Sequence, residues 1–208
     1  MNIKEAIKED ILNNQLPRGV PLRQVELSER YKVSRIPIRD ALLSLKAEGW
    51  LSPHGKAGVM VPEFRWEEAE DLYLMRSRLE CLLFEMAFDH IGETELKAAR
   101  LILSELNQES LSLIQYGEMN WHFHSVLYQA ANRVALHQVV EGLNEKVIRY
   151  LGFQYGPLGY RVESEQQHEE LLWLIEQNDK QGALIFLQQH IEEAGKRLTE
   201  YLKSQSSQ

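Results

Sequence analysis

The chain has 208 residues, 44% hydrophobic and 26% charged, with a formal net charge of −8. That is ordinary globular usage, enough for one large domain or two small ones, and it excludes a disordered or fibrous chain. The absence of a run of about 18 apolar residues excludes a membrane span, and MNIKEAIKED is too charged for a signal peptide. A single cysteine, Cys81, rules out an internal disulfide framework and fits a reducing cytoplasm.

The charge is unevenly shared. Residues 1–62 carry ten Lys or Arg against seven Asp or Glu, a net +3, whereas the rest carries thirteen against twenty-four, a net −11. A small basic module on an acidic body is therefore expected. In that module Ile3, Ile7 and Ile11 recur at i, i+4, i+8, which predicts a short amphipathic helix ended by Leu16-Pro17-Arg18-Gly19. A second helix is predicted over Gln24 to Tyr31. A third follows an N-cap at Ser34, with Pro37 tolerated in its first turn, and runs to about Glu48 before Gly49. Trp50 to Pro53 and Val59 to Val61, around a His54–Gly58 turn, read as a hairpin. Three helices and a hairpin in this length make a winged helix-turn-helix.

The remainder reads as helices over about 66–90, 94–115, 118–131, 134–153, 163–177 and 180–203. Breaks are expected at Gly92, Gly117, Asn132, the 154–159 loop and Asn178-Asp179. The expected fold is mostly α: a winged helix-turn-helix over 1–62, then an all-α bundle over 66–203.

In the third helix Ile38, Leu42 and Leu45 form the inward stripe, while Arg35 and Arg39 lie one turn apart on another face. Arginines near the start of a recognition helix can bond bidentately to guanine in the major groove. Two solvated arginines, with Arg39 paired to a neighbouring acid, are the plain alternative. The stretches Leu16-Pro17-x-Gly19, Glu26-Leu27-Ser28-Glu29, Val33-Ser34-Arg35-x-Pro37-Ile38-Arg39-Asp40-Ala41-Leu42 and Leu45-x-Ala47-Glu48-Gly49 occur in this order. Together they resemble the GntR family of bacterial transcription regulators over residues 3–62. The resemblance implies that Ser34, Arg35, Ile36, Pro37 and Arg39, with His54, Gly55 and Lys56 of the wing, face DNA. One departure is Val25, where the second helix commonly has arginine; Arg23, two residues earlier, is the substitute phosphate contact.

Three histidines stand on apolar faces of three predicted helices. His124 shares a face with Leu127, Tyr128 and Ala131; His168 lies over Leu172 and Ile175; His190 lies among Phe186, Leu187 and Ala194. Buried imidazoles need partners, and either core hydrogen bonds or one divalent metal can supply them. Arg76 lies within the stripe Leu72, Leu79 and Leu83, where Glu80 one turn on is the simplest partner. Asn120, Phe123-His124, Gln167-His168-Glu169 and His190 resemble the FadR-type C-terminal (FCD) ligand-binding domain, with Asn120 in place of the usual Asp. That resemblance implies a metal held by Asn120, His124, His168 and His190, with weaker affinity for want of the Asp charge. It also implies an effector carboxylate on Arg76, in Leu72-Tyr73-x-x-Arg76-x-x-Leu79-Glu80.

Three imidazoles and one oxygen suit Zn, and also Ni, Co or Mn. The expected protein is thus a cytoplasmic homodimeric regulator, not an enzyme, that binds an inverted-repeat DNA operator and senses a small carboxylate at a divalent metal. Two rivals stay open: a metal-dependent hydrolase using Glu169 or Glu170 as base, and a regulator whose histidines are purely structural.

Overall fold

The first helix starts where the Asn2 side chain accepts the Lys4 N–H, and α1 runs over Ile3–Leu12. The computed structural model describes residues 2–56, 58–106, 111–154 and 158–206. These fall into two units, Met1–Phe64 and Arg65–Gln208.

In the first unit, α2 covers Gln24–Tyr31 and stops at Lys32, which takes a left-handed conformation. A short turn leads to α3, Arg35–Ala47. Ile38, Leu42 and Leu45 are buried as the single stripe their spacing requires, together with Ile7, Ile11 and Leu27 of α1 and α2. Full burial of such a side chain contributes about 1.5–3 kcal/mol, so these six residues make a large contribution to a small core that also holds Leu12, Leu16, Trp50, Leu51 and Val61. Ser34 occupies the N-cap position with an extended backbone, yet its side chain makes no capping hydrogen bond. That departs from the expected Ser34 cap.

The hairpin pairs β1, Ser52–His54, with β2, Gly58–Met60, antiparallel with Pro53 opposite Val59. The first strand starts later than the sequence suggests. Trp50 and Leu51 are both buried, and their N–H groups bond to the Leu45 carbonyl, so they plug the core instead of alternating along a strand. Gly58 is obligatory: a Cβ there would lie 2.7 Å from the His54 carbonyl oxygen. Ala57 of the predicted turn lies outside the described residues.

Among the described residues of the second unit every element is a helix. In chain order its helices are α4 Trp66–Ala87, α5 Glu93–Leu106, α6 Leu113–Tyr128, α7 Val134–Ile148, α8 Leu151–Gln154, α9 Arg161–Glu176 and α10 Lys180–Ser206. Helix α4 is central and packs on α10, α7 and α6, while α5 and α10 flank α9. The break predicted at Gly117 is not there. Ser112 and Gln115 form a reciprocal capping box, and α6 runs through Gly117 without interruption. The glycine serves packing: a Cβ at 117 would fall 2.3 Å from Leu151 Cδ1 and 3.2 Å from Ile148 Cγ1. The predicted 134–153 helix ends instead at Ile148, with α8 as a separate turn. Part of the expected 154–159 loop lies outside the described residues.

Candidate functional site

Helix α6 carries Asn120 and His124 one turn apart, α9 carries His168, and α10 carries His190. All three imidazoles are buried, since each stands in an apolar stripe where a core side chain would otherwise be. His168 Nε2 and His124 Nε2 are 3.2 Å apart, and one nitrogen from each of the three rings lies within 4.8 Å of the others. Zinc–nitrogen bonds of about 2.0–2.1 Å at a tetrahedral angle place two ligand atoms about 3.3–3.4 Å apart, so the first pair already has a ligand-like separation.

The His190 ring is oriented from behind. Gln167 Oε1 accepts the Tyr160 hydroxyl at 2.7 Å and the His190 Nδ1–H at 2.6 Å. That fixes the tautomer and leaves the His190 Nε2 lone pair unprotonated, as outer partners of metal-ligating histidines do. Asn120 Oδ1, His124 Nδ1 and His168 Nδ1 are buried without a hydrogen-bond partner. Orphaned polar atoms in an interior cost about 1–3 kcal/mol each. An ion on the Nε2 atoms of His124 and His168 would leave their Nδ1 atoms as they are, so the fit to a divalent ion rests on the neutral, nitrogen-rich donor set and the orphaned Asn120 Oδ1.

Burial holds all three histidines below their ordinary range, to about 3 for His190, where the Arg76 charge adds to the effect. His124 is further lowered by His168, His190 and Arg76, and His168 by His190. Their folded pKa values lie below the unfolded value of about 6.5, so below that pH the unfolded chain binds more protons. Stability is therefore intact above about pH 6.5. It should fall with acidification by up to about 1.4 kcal/mol per pH unit for each histidine. Melting temperatures between pH 7.5 and about 5 check this. A flat profile would place the histidines in water.

Beside the cluster lies a buried ion pair. Arg76 Nε donates to Glu80 Oε1 at 2.7 Å, Asn144 Nδ2 donates to the same oxygen at 3.2 Å, and the Tyr128 hydroxyl donates to Glu80 Oε2 at 2.9 Å. Burial opposes the Arg76 charge, but the Glu80 carboxylate outweighs it and the guanidinium stays charged. Burial and then Glu80 push the Tyr128 hydroxyl far up. Arg76 also lines a cavity of about 30 Å³ together with Tyr73, Asn120, Gln154, Ser164 and His190. That is room for a water-sized group. Of the two partners foreseen for Arg76, Glu80 is in contact, and a small polar cavity lies alongside.

Asn144, Tyr128 and Gln167 have structural roles that sequence reasoning did not assign. Asn144 carried a usable signal, a polar residue among Val140, Leu143 and Val147 on the inward stripe of α7. Glu169 and Glu170, the acids considered as general bases, are exposed on α9 while His168 is buried.

In the first unit Ser34, Arg35, Ile36 and Arg39 are exposed at the start of α3, and Pro37 is half-buried. Ile36 is 64% exposed and so is free to meet a partner surface. Arg39 donates from Nε and Nη2 to Asp40 Oδ1 at 3.2 Å, the acid pairing foreseen as the plain alternative. Between two exposed side chains such a bond is worth about 0–1 kcal/mol, and it leaves the guanidinium available. Arg23 lies 3.5 Å from Glu26 on the surface, and Val25 is exposed beside it. His54, Gly55 and Lys56 are exposed at the hairpin tip, with Gly55 in a left-handed conformation.

Residues 1–61 match the family model of bacterial regulatory proteins, gntR family, and residues 71–193 match the FCD domain. The chain belongs to the GntR family of transcription regulators, in its FCD-containing form. The HTH-type transcriptional repressor RspR of Escherichia coli K12 is 24% identical to this regulator, over 92% of this chain and 85% of that one. A crystal structure of a GntR-family transcriptional regulator from Pseudomonas syringae pv. tomato DC3000 is 32% identical, covers 99% of this chain and 86% of its own, and superposes with a TM-score of 0.61. E. coli McbR/YncC shares the fold at 22% identity, a TM-score of 0.69 and 96% coverage of both chains. This GntR-family regulator is a DNA-binding protein of transcription regulation. Among the described residues no helix is long and apolar enough to cross a membrane.

Proposed function

We propose that this regulator is a cytoplasmic homodimer that binds an inverted-repeat operator and releases or retains it according to a small carboxylate. Residues 1–62 would read DNA, and residues 66–203 would dimerise and hold metal and effector. The observation that carries the reading is the convergence of His124, His168 and His190 within 4.8 Å, next to a cavity lined by Arg76 and Asn120. Asn120, His124, His168 and His190 would hold a divalent ion, zinc first and Ni, Co or Mn as alternatives. The ion would supply a Lewis-acidic anchor for one carboxylate oxygen. Arg76 would face the effector from the opposite wall, with Glu80, Tyr128 and Asn144 fixing it in place. In this reading the site senses and does not turn over substrate, in keeping with the exposure of Glu169 and Glu170. Repression, the role of RspR, is the expected output. The effector acts through its differential affinity for the DNA-competent state and its alternative.

Non-denaturing mass spectrometry with metal analysis tests the reading: a dimer, one divalent ion per chain, and loss of the ion in His124→Ala. A protein that takes up no ion at its folded site would overturn it.

On DNA, Arg35, Arg39, Ser34, Ile36 and Pro37 would meet the major groove and its backbone, and Arg23, His54, Gly55 and Lys56 the flanking phosphates. Arg35→Ala and Arg39→Ala should each cost about 1–3 kcal/mol on the operator and relax specificity there. Lys56→Ala should weaken operator and random duplex alike and reduce the salt slope by about one unit. Fluorescence anisotropy across a salt series separates the two classes. Parental operator affinity in Arg35→Ala at every salt concentration would remove α3 from the interface.

A further inference from the structure

Ile36 stands in the first turn of α3, next to Arg35 and one turn before Arg39, and most of its surface is open to solvent. A single exposed apolar side chain needs no explanation on its own. Its place on the helix gives it one. Ile38, Ala41, Leu42 and Leu45 form the buried stripe of α3. At about 100° per residue Ile36 falls opposite that stripe, on the face that also carries Arg39 and Asp40. Any pose that brings the Arg35 and Arg39 guanidiniums to base edges therefore brings Ile36 there as well.

Isoleucine cannot move aside, because it is short and its branched Cβ leaves essentially one χ1 rotamer in a helix. Nor can it exchange hydrogen bonds with what it meets. The major-groove edges of G, A and C offer donors and acceptors, which an isoleucine would strip of water without replacing it. The thymine C5-methyl is the one apolar group displayed there. We infer that Ile36 reads a thymine of the operator by packing on its C5-methyl, within about two base pairs of the guanine that Arg35 or Arg39 meets. The spacing follows from the helix rise: Ile36 and Arg39 are about 4.5 Å apart along the axis, and successive base pairs about 3.4 Å. The inference rests on the DNA reading proposed above and adds a base to it, so that each half-site joins a guanine to a nearby thymine. Leu43 is the internal contrast. It is exposed on the same side of α3 but about 10 Å further along the axis, too far on to share that thymine.

The test begins with duplexes selected from a random pool by the full-length chain. Each thymine of the selected half-site is then replaced singly by uracil, which lacks only the methyl. Anisotropy titrations at fixed salt should find a thymine at which uracil weakens the parent by about fourfold, the worth of one buried methyl. Ile36→Ala should bind the thymine and uracil duplexes equally, and selection repeated with that variant should no longer fix the thymine. Leu43→Ala should keep the preference of the parent. Ile36 lies on the surface, so its truncation takes nothing from the core. A parent indifferent to uracil at every thymine would overturn the inference, as would a preference that survives in Ile36→Ala. Arg35→Ala reports separately on the DNA reading. Parental operator affinity in that variant, or a pool from which nothing is selected, would remove α3 from the interface and the thymine contact with it.

Discussion

Arg76→Ala should cost the helical unit about 3–5 kcal/mol, because it leaves the Glu80 carboxylate buried without its cation. Glu80 is fully inaccessible, and Tyr128 and Asn144 can satisfy its lone pairs but not its charge. For a unit of this size the loss is a fall in melting temperature of about 10 °C or more. Arg76→Lys should lie between, since an ammonium keeps the charge but lacks the planar fork that aims Nε at Glu80. Thermal melting of the two variants beside the parent decides the matter. A parental melting temperature in Arg76→Ala would mean that the ion pair carries no net stability and that Arg76 serves only the cavity.

The second large effect concerns the ion. A ligand that binds only the folded chain stabilises it by about 4 kcal/mol at a thousandfold excess over its dissociation constant. Zinc should therefore raise the melting temperature by about 10 °C, and a chelator should reverse the rise. His168→Ala should abolish the response, because His168 Nε2 lies 3.2 Å from His124 Nε2 at the centre of the cluster. Melting that ignores both zinc and chelator would reduce the three imidazoles to core residues.

Much of this architecture is legible in the residues, for local reasons. The bounds of α3 follow from short-range chemistry: the stripe of Ile38, Leu42 and Leu45, and the punctuation of Ser34 and Gly49. The histidine cluster is legible too, because each ring sits one helical turn from apolar neighbours, and stripes on three helices of one bundle meet in its interior. What escapes is set by contacts distant in sequence. Gly117 reads as a helix breaker until Leu151 and Ile148 are seen against it. Likewise nothing near Glu80 announces that Tyr128 and Asn144, 48 and 64 residues further on, will share its two oxygens. Gln167 stands beside a conspicuous histidine, yet it orients a different one, His190 on the next helix. Spacing reveals which way a side chain faces, whereas its partner depends on how the helices pack.

The bare start of α3 has a consequence for how this regulator can be improved. A capping hydroxyl is worth about 1 kcal/mol to a helix, and Ser34 sits where a cap belongs without making the bond. The isolated protein therefore forgoes a stabilisation that a small local rearrangement could recover. Selection for heat resistance alone would favour a side chain that closes on the first-turn amides, at the cost of the donors that α3 would turn toward a phosphate. Thermostable variants obtained without an operator-binding screen should accumulate changes at this helix end and bind DNA less well.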